Sequence, residues 1–534
     1  MSTRSRERTL YAKAVNRLRP AIHETSSVRL PDLTRRRFDG EDEFARTVQF
    51  ENTRAIPTAA SARTHLPQLR LFANLGCPLH SWISEDGGQS THIWGIPAHR
   101  TVPKRSLPEW CTEVVAAQQY DRFKELLGTF VVIVDESTRG RFTFVTDILG
   151  IRPMFIGRAR GRLIFGSEVW SIRKAGLVSG RLDYDALSAW IVYGFNCTQG
   201  SLFADLQRLP AGSALVFESG EPAAIPYAEF RRASPAPAPE QVAEDIHDIV
   251  SSAVRTLLTD ETETCNTVSG GYDSRYLLAL TSSILPRNSI TCVNVKFSSQ
   301  EGLVAQRVAD TLGLPLREVN VKGSIWDLYE NVFYHTADGF PISKFVTHHV
   351  AQMFPGLVTV NGFMGDSLVR GSKDTFRGKY ETEWTEGLAD VLLQKHKIVR
   401  LDLFTKTVQD GLAARARVPM EQAVRKGSAT GRVFGWADFY YRQRLYISNN
   451  FLGHLRLSEA IVPFYNWELL SYKMEHDCRA FNRSVYERIF RRHFPPLSEI
   501  PHADDLATSE SDDDGHTADL PPKNWSTSDE SPLG

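Results

Sequence analysis

The pattern of apolar residues differs between the two halves of the chain. Before residue 233, apolar residues come in short runs rich in β-branched and aromatic side chains, and turn residues such as Arg139-Gly140 separate them. The runs lie at 130–134, 142–145, 154–156, 162–165 and 213–217. Their composition predicts strands, and their close spacing predicts hairpins in an antiparallel, layered domain.

After residue 240 the pattern alternates between helical and strand-like segments. The first segment is predicted to be a helix, because its apolar residues are three or four positions apart: Ile246, Ile249, Val250, Ala253 and Leu257. Strand-like segments follow at 263–268, 289–295 and 357–360, with apolar helical segments after the first two. This alternation predicts a parallel sheet, whose ligands bind at the carboxyl ends of the strands.

A proline-rich segment separates the two halves. Residues 233–239 read Ala-Ser-Pro-Ala-Pro-Ala-Pro, and alternating prolines cannot continue a helix or a central strand. We therefore predict an extended linker. The chain then divides into an N-terminal extension (1–69), an antiparallel domain (70–232), the linker (233–239), a parallel-sheet domain (240–501) and a tail (502–534). The tail is polar and acidic, and we expect much of it to be disordered.

Composition narrows the class of protein. The chain has 534 residues, too many for one hydrophobic core. A hydrophobic content of 42% and a charged content of 23% are typical of a soluble globular protein, and the net charge of −1 gives no electrostatic argument for nucleic acid or membrane. The sequence has neither a membrane-spanning apolar run nor a secretory signal. Six scattered cysteines favour reduced thiols in a cytoplasm over a disulfide scaffold or a zinc site.

The most specific chemical signal is the hexapeptide Ser269-Gly270-Gly271-Tyr272-Asp273-Ser274, which lies between a predicted strand and a predicted helix. Glycines let the backbone approach an anion closely, and a helix N-terminus directs N–H donors at it. Asp273 would repel phosphate unless both bind a shared divalent cation. On the hexapeptide alone, an ordinary turn is an equal alternative. The Gly-x-x-x-x-Gly-Lys-Ser/Thr pattern is absent.

This hexapeptide resembles the pyrophosphate loop of the N-type ATP pyrophosphatases, in particular the Ser-Gly-Gly-x-Asp-Ser form of the asparagine synthetase family. Other blocks that resemble this family occur in the same order along the chain. They lie at 128–135, 147–154, 165–168, 209–212, 301–309, 361–367 and 463–466, the last together with Arg456. The resemblance covers roughly residues 70–500.

The resemblance implies an α/β protein with two domains. The N-terminal one would be an Ntn-type glutaminase-like domain with α-β-β-α layers, and the C-terminal one a synthetase of the adenine-nucleotide α-hydrolase (PP-loop) type. The synthetase adenylates a carboxylate with ATP, and an amine then displaces AMP. By resemblance, pyrophosphate is held by Ser269, Gly270, Gly271 and Ser274.

The resemblance also assigns a metal and a nucleoside site. Asp273 and Asp366 would bind Mg²⁺, although for Asp366 alone a loop-capping aspartate is an equal alternative. The backbone at Val268, Val295 and Gly362 would contact adenosine, with Asn294 as a competing alignment for Val295.

The N-terminal half departs from the family at its nucleophile. The family's glutaminase uses an N-terminal cysteine whose own α-amine is the base. Here residue 2 is Ser, and Cys77 is internal, so its backbone nitrogen is an amide. Unless the chain is processed just before Cys77, we expect no glutamine hydrolysis. Cys77 is best interpreted as a buried thiol, and Ser2 as an N-terminal nucleophile is a remote alternative.

Two further departures concern the synthetase chemistry. Three residues before Asp366, asparagine synthetases carry Glu and β-lactam-forming relatives carry Tyr, whereas this chain has Phe363, which carries no proton. The catalytic proton-handling residue is therefore unknown. Polar candidates are Glu381, Glu383, Tyr334, His335 and Asp338, although each of them is better interpreted as a structural or surface residue. The β-lactam-forming relatives also use a late lysine; the comparable region here is the acidic tail, whose one lysine, Lys523, is best interpreted as a solvated tail residue.

The sequence thus predicts an AMP-forming, ATP- and Mg²⁺-dependent ligase that makes amides without hydrolysing glutamine. Its partners would be a small-molecule or peptide carboxylate, an amine or ammonia donor and biosynthetic proteins, with no nucleic acid and no membrane insertion. The alternatives are a conventional glutamine-hydrolysing asparagine synthase and a catalytically degenerate nucleotide-binding protein of the same fold.

Overall fold

A computed structural model describes most of the chain between residues 48 and 506. The described ranges are 48–55, 69–73, 79–84, 87–159, 162–174, 176–193, 195–198, 200–218, 222–230, 235–258, 262–295, 299–319, 346–370, 405–428, 435–436, 438–452, 455, 458–476, 480–503 and 505–506. They all belong to the unit that begins at Arg46.

The N-terminal half contains two antiparallel sheets. Its strands are β1 (Val48–Ala55), β2 (Leu69–Ala73), β3 (Leu79–Ile83), β4 (Ser90–Gly95), β5 (Phe130–Glu136), β6 (Arg141–Thr146), β7 (Phe155–Ala159), β8 (Arg162–Gly166), β9 (Leu206–Arg208), β10 (Ser213–Phe217) and β11 (Ala223–Pro226). One sheet has the order β2-β1-β8-β7-β9 and the other β11-β10-β6-β5-β4-β3. Strand β1 lies within residues 1–69, so the first sheet includes part of the stretch that the sequence analysis treats as an extension.

The alternation of side chains along these strands produces the layers. In β5, Val131 and Ile133 pack with Phe165 of the other sheet, whereas Val132 and Val134 belong to the core on the opposite face. Three helices accompany the sheets: α1 (Leu107–Ala116), α2 (Val169–Lys174) and α3 (Tyr184–Tyr193). Helix α1 covers the outer face of the second sheet, and α2 packs on the outer face of the first. The layers are therefore α-β-β-α.

The C-terminal half contains one parallel sheet of order β14-β13-β12-β15-β16. Its strands are β12 (Thr264–Thr267), β13 (Ile290–Val295), β14 (Leu316–Val319), β15 (Val358–Val360) and β16 (Ala460–Ile461). The chain moves outward from β12 to β14 and returns to the other side of β12 at β15. The loops after β12 and β15 therefore face each other across a topological switch point, where ligands bind in open parallel sheets.

Helices surround this sheet and complete the described chain. They are α4 (Pro239–Leu257), α5 (Tyr272–Ile284), α6 (Ser299–Leu312), α7 (Val346–Met353), α8 (Lys406–Ser428), α9 (Asn449–Leu452), α10 (Trp467–Glu475), α11 (Arg483–His493) and α12 (Pro495–Ser498), with π-helical turns at Asp366–Arg370 and Asp438–Ile447. No helix in the described ranges is long and apolar enough to cross a membrane. The layered antiparallel half and the parallel sheet confirm the predicted α/β fold class.

The two halves share one hydrophobic core and a buried polar seam. Asp147 accepts hydrogen bonds from the backbone N–H groups of Phe130, Ile151 and Arg152, and from the hydroxyl of Tyr465. The Tyr465 hydroxyl in turn accepts one from the backbone N–H of Leu149, at 2.7 Å.

A buried ion pair and a second arginine extend this seam. Arg152, in the N-terminal half, pairs with Glu459 in the C-terminal half. Arg444 crosses in the opposite direction and donates to the carbonyl of Leu209 at 3.0 Å. The sequence blocks at 147–154 and 463–466 therefore meet at the contact between the halves.

Candidate nucleotide site

The first loop is a tight turn between β12 and α5. The Ser269 N–H donates to the Ser274 hydroxyl at 3.1 Å, and the Gly271 N–H donates to the Ser269 hydroxyl at 3.2 Å. Gly271 occupies the N-cap of α5 and has no side chain with which to cap it. The first-turn N–H groups of α5 are therefore oriented as anion donors at the switch point.

Each glycine in the loop has a distinct reason for lacking a side chain. A Cβ on Gly270 would lie 2.3 Å from the Cβ of Ala503, because the chain near its C-terminal end packs on the loop. A Cβ on Gly271 would meet only ordinary contacts, 3.4 Å from the Ser269 hydroxyl and 4.0 Å from Nε2 of His502. Packing against Ala503 excludes a side chain at residue 270, whereas Gly271 leaves space beside the Ser269 hydroxyl.

The second loop follows β15 and lies directly against the first. A Cβ on Gly362 would be 3.3 Å from the Cβ of Asp273, and one on Gly365 would be 2.7 Å from its carboxyl carbon. The Phe363 N–H donates to the side-chain oxygen of Asn361 at 2.9 Å, and Met364 has a positive φ of 68°. The structure thus brings Gly362 and Asp366 together with the first loop.

The two aspartates form a pair of like charges. Asp273 is half-buried and accepts a hydrogen bond from the Tyr486 hydroxyl at 2.5 Å, while Asp366 is exposed. Burial and the nearby carboxylate of Asp366 raise the pKa of Asp273 well above its usual range. A divalent cation would relieve this repulsion.

The donor set fits Mg²⁺ bound together with phosphates. This ion usually takes one or two protein carboxylates, with substrate phosphates and water completing its coordination. Asp273 and Asp366 would supply those carboxylates beside the loop. Across the described ranges, no cluster of three or more His, Cys, Asp or Glu side chains forms an all-protein metal cage.

Two of the residues assigned to adenosine, Val268 and Val295, lie at the ends of β12 and β13, whereas Gly362 follows β15. Val268 and Val295 are both buried. The Val268 N–H donates to the carbonyl of Val293 at 2.8 Å, and its carbonyl accepts from the Asn294 amide at 2.7 Å. Asn294 therefore joins the two strand ends through its side chain, and the Val268 N–H is already used within the sheet.

Phe363 belongs to the second loop, between Gly362 and Met364. It is buried, and its ring centroid is 6.2 Å from that of Tyr465. It provides no proton donor or acceptor from its side chain. The other candidates for proton transfer, Glu381, Glu383, Tyr334, His335 and Asp338, lie outside the described residues, as do Lys523, Ser2 and Cys77.

The structure adds residues that the sequence analysis missed. Tyr486, on α11, contacts Asp273, and the buried Gln443 donates to the hydroxyl of Ser367, next to Asp366, at 2.6 Å. His502 lies beside Gly271. The apolar spacing of Leu497, Ile500 and Ala503 continues past residue 501, and this signal could have included His502 in the folded domain.

The comparisons with known proteins agree with this arrangement of a layered antiparallel half and a parallel sheet with two facing loops. Residues 109–228 match a family model for a glutamine amidotransferase domain, and residues 245–494 match the asparagine synthase model. The chain is 24% identical over 163 residues to asparagine synthetase (glutamine-hydrolyzing) 3 of Bacillus subtilis (strain 168). That alignment covers 30% of this chain and 26% of the relative, so about a quarter of the relative's length is spanned.

Two solved structures are more distant. A glutamine phosphoribosylpyrophosphate amidotransferase from B. subtilis, complexed with ADP and GMP, has a TM-score of 0.21 at 11% identity, covering 60% of this chain and 70% of that chain. An allosteric regulatory enzyme of purine biosynthesis has a TM-score of 0.22 at 10% identity, covering 67% and 74%. The two domain models and the curated relative together support an asparagine synthetase family protein.

Proposed function

We propose that this protein is a carbon–nitrogen ligase that activates a carboxylate with ATP. The observation that carries the proposal is the contact between the two loops, which places Asp273 and Asp366 beside the N-terminus of α5 at the switch point of a parallel sheet. An anion site next to two carboxylates suits a nucleoside triphosphate and its magnesium better than either ligand alone.

In the first half-reaction, a carboxylate oxygen of the substrate attacks the α-phosphorus of ATP. A new P–O bond forms, the bond to the bridging oxygen of the pyrophosphate breaks, and the acyl-adenylate remains bound. Backbone N–H groups of the first loop and of α5, with the hydroxyls of Ser269 and Ser274, would bind the departing pyrophosphate. Asp273 and Asp366 would hold Mg²⁺, which supplies charge neutralisation on the phosphates.

In the second half-reaction, an amine or ammonia nitrogen attacks the acyl carbon. The C–O bond to AMP breaks, the C–N bond forms, and the nitrogen loses a proton. Phe363 cannot accept that proton, so we infer that the amine arrives deprotonated or that another group takes the proton.

The test is ATP–pyrophosphate exchange against a panel of carboxylates, including aspartate and short peptides. The wild-type protein should exchange with at least one carboxylate, and Asp273→Ala should abolish exchange. Asp410→Ala is the matched control, because Asp410 is an exposed residue of α8 that pairs with Lys406 of the same helix. The absence of both exchange and magnesium-dependent ATP binding would overturn the ligase proposal. Glutamate release from glutamine would contradict the expectation about the nitrogen source.

A second candidate is a nucleotide-binding protein that no longer forms amides. Phe363 favours it, because a buried phenyl ring takes the place from which relatives transfer a proton. This candidate predicts magnesium-dependent ATP binding, weakened by Asp366→Asn, without exchange for any carboxylate. ATP–pyrophosphate exchange and magnesium-dependent ATP binding, measured together, therefore separate the two candidates.

A further inference from the structure

One oxygen of the Asp273 carboxylate is enclosed by neighbouring groups. Oδ1 accepts a hydrogen bond from the Tyr486 hydroxyl at 2.5 Å. A Cβ on Gly365 would lie 2.9 Å from the same oxygen, so the second loop lies against it. Oδ2 makes no hydrogen bond to any group in the described ranges. Oδ2 is therefore the oxygen that Asp273 can offer to a cation shared with Asp366.

Packing fixes the side chain of Tyr486 where it makes this contact. The side chain is fully buried, and its ring centroid lies 5.8 Å from that of Tyr272 and 5.9 Å from that of Tyr276. Phe490, one turn further along α11, stacks on it at 6.2 Å. Because close packing on several sides restricts a side chain to one rotamer, the hydroxyl is a fixed donor for Asp273.

Helix α11 also brings Tyr486 to the second loop. The helix packs against the π-helical turn Asp366–Arg370, whose first residue is the other aspartate of the site. The hydroxyl of Tyr486 therefore lies where the two loops meet. The neighbouring Tyr276 is equally buried, but its hydroxyl pairs with Nδ1 of His247 on α4, at 3.0 Å. A buried tyrosine in this cluster thus does not need an aspartate as its partner.

We propose that Tyr486 is a positioning residue that orients Asp273 for Mg²⁺ and makes the site prefer Mg²⁺ to Ca²⁺. This inference rests on the proposed function, because it concerns the cation that binds with ATP. With Oδ1 held by the hydroxyl, Asp273 can offer only Oδ2. Mg²⁺ demands near-octahedral geometry, whereas the flexible coordination of Ca²⁺ accepts a carboxylate through one oxygen or both. A single oxygen in a fixed direction therefore suits the smaller ion.

Loss of the hydroxyl would free the carboxylate to turn. In Tyr486→Phe the ring keeps its packing, but Oδ1 loses its donor, so Asp273 can rotate about its Cβ–Cγ bond and present both oxygens. Groups that hold metal ligands in place commonly contribute about 10-fold to 100-fold to metal affinity. Mg²⁺ should lose most of this, because its geometry is the less tolerant, and Ca²⁺ should lose little.

The experiment measures binding of the preformed Mg·ATP and Ca·ATP complexes by isothermal titration calorimetry, at metal concentrations that keep ATP complexed. The proteins are wild type, Tyr486→Phe and Tyr276→Phe. Tyr276→Phe is the matched control, because it removes the hydroxyl of an equally buried neighbouring tyrosine that pairs with His247. The Tm of each protein without metal or ATP reports any structural loss.

We expect Tyr486→Phe to raise the Kd for Mg·ATP by about tenfold or more and to leave the Kd for Ca·ATP within about threefold. Tyr276→Phe should leave both Kd values within about twofold of wild type. An unchanged Kd for Mg·ATP in Tyr486→Phe would overturn the inference. So would an equal loss of affinity for both complexes, or the same loss in Tyr276→Phe, because those patterns report a structural role.

Failure of this inference can be distinguished from failure of the proposed function. A wild-type protein that binds Mg·ATP but shows no pyrophosphate exchange with any carboxylate would refute the ligase proposal alone. The Kd values for the two complexes would still decide the role of Tyr486. A wild-type protein that binds neither complex would overturn the inference as well, because Asp273 would then have no cation to hold.

Discussion

Gly270→Ala tests the packing of the C-terminal segment on the first loop. The new Cβ would lie 2.3 Å from the Cβ of Ala503, a separation that forces the segment or the loop to move. The φ angle of Gly270 is not in the left-handed region, so the effect is steric rather than conformational. Overpacking of this kind costs about 1–3 kcal/mol of unfolding free energy.

The free-energy cost of the contact between the two Cβ atoms can be isolated with a second substitution. Ala503→Gly removes the methyl group that the new Cβ would meet, leaving the Cα of Glu301 at 3.4 Å and that of Ala503 at 3.5 Å as the next neighbours. Ala503→Gly alone should cost roughly 0.5–1 kcal/mol through backbone entropy. The double variant should therefore be more stable than the sum of the single effects predicts, by about 1–3 kcal/mol.

The assay is denaturant unfolding of four proteins: wild type, Gly270→Ala, Ala503→Gly and the double variant. ATP–pyrophosphate exchange is then measured on those that fold. Gly271→Ala is the companion variant, because its Cβ makes only ordinary contacts yet enters the space assigned to phosphate. It should keep wild-type stability and lose affinity for ATP. The reasoning is refuted if Gly270→Ala is as stable as wild type. It is also refuted if the stability loss of the double variant equals the sum of the two single losses.

Three further predictions concern charge, the seam and the thiols. Asp366→Asn should abolish the stabilisation by magnesium and ATP without lowering the magnesium-free unfolding free energy, because it removes a like-charge repulsion with Asp273; a lower magnesium-free value would contradict this. Tyr465→Phe should cost about 1–3 kcal/mol in denaturant unfolding, since it leaves Asp147 and the Leu149 N–H each one partner short. Tyr440→Phe is its control, because the Tyr440 hydroxyl makes a long hydrogen bond of 3.5 Å to the carbonyl of Ala228. Equal losses of unfolding free energy in the two variants would rule out the seam as the cause. In a variant with Cys77 and Cys478 changed to Ser, a thiol reagent should react only after unfolding, because the remaining four cysteines are buried. Burial also raises the pKa of Cys197, Cys265 and Cys292 to about 12. Rapid labelling of the native variant would contradict this expectation.

The parts of the fold that follow from local sequence could be predicted. Strand and helix periodicity gave both halves, and a glycine pair between a strand and a helix is a local signal for an anion loop. The position of Asp366 beside Asp273 also follows, because loops after neighbouring parallel strands meet at one edge of the sheet.

Contacts between distant segments could not be predicted in this way. Tyr486 has the spacing of an ordinary core residue on an amphipathic helix, and its partner Asp273 is 213 residues away. Arg275 holds the carbonyl of Ile500 across 225 residues, and the acidic residues after His502 gave that region the composition of a tail. Composition averages over a window, so it obscured the few apolar residues that anchor His502 to the loop.

The seam between the halves has a consequence for how this protein can evolve. Buried polar groups of the two halves contact each other: Arg152 pairs with Glu459, and the Tyr465 hydroxyl donates to Asp147. The hydrophobic core is continuous across these contacts. Removing either half would leave the other with unpaired buried charge, which is among the most destabilising of changes. We therefore expect the parallel-sheet half to need the antiparallel half for folding, even if the latter forms no product, and the two halves to melt as one cooperative unit. Loss of a catalytic activity from the antiparallel half would not remove the need for that half in folding.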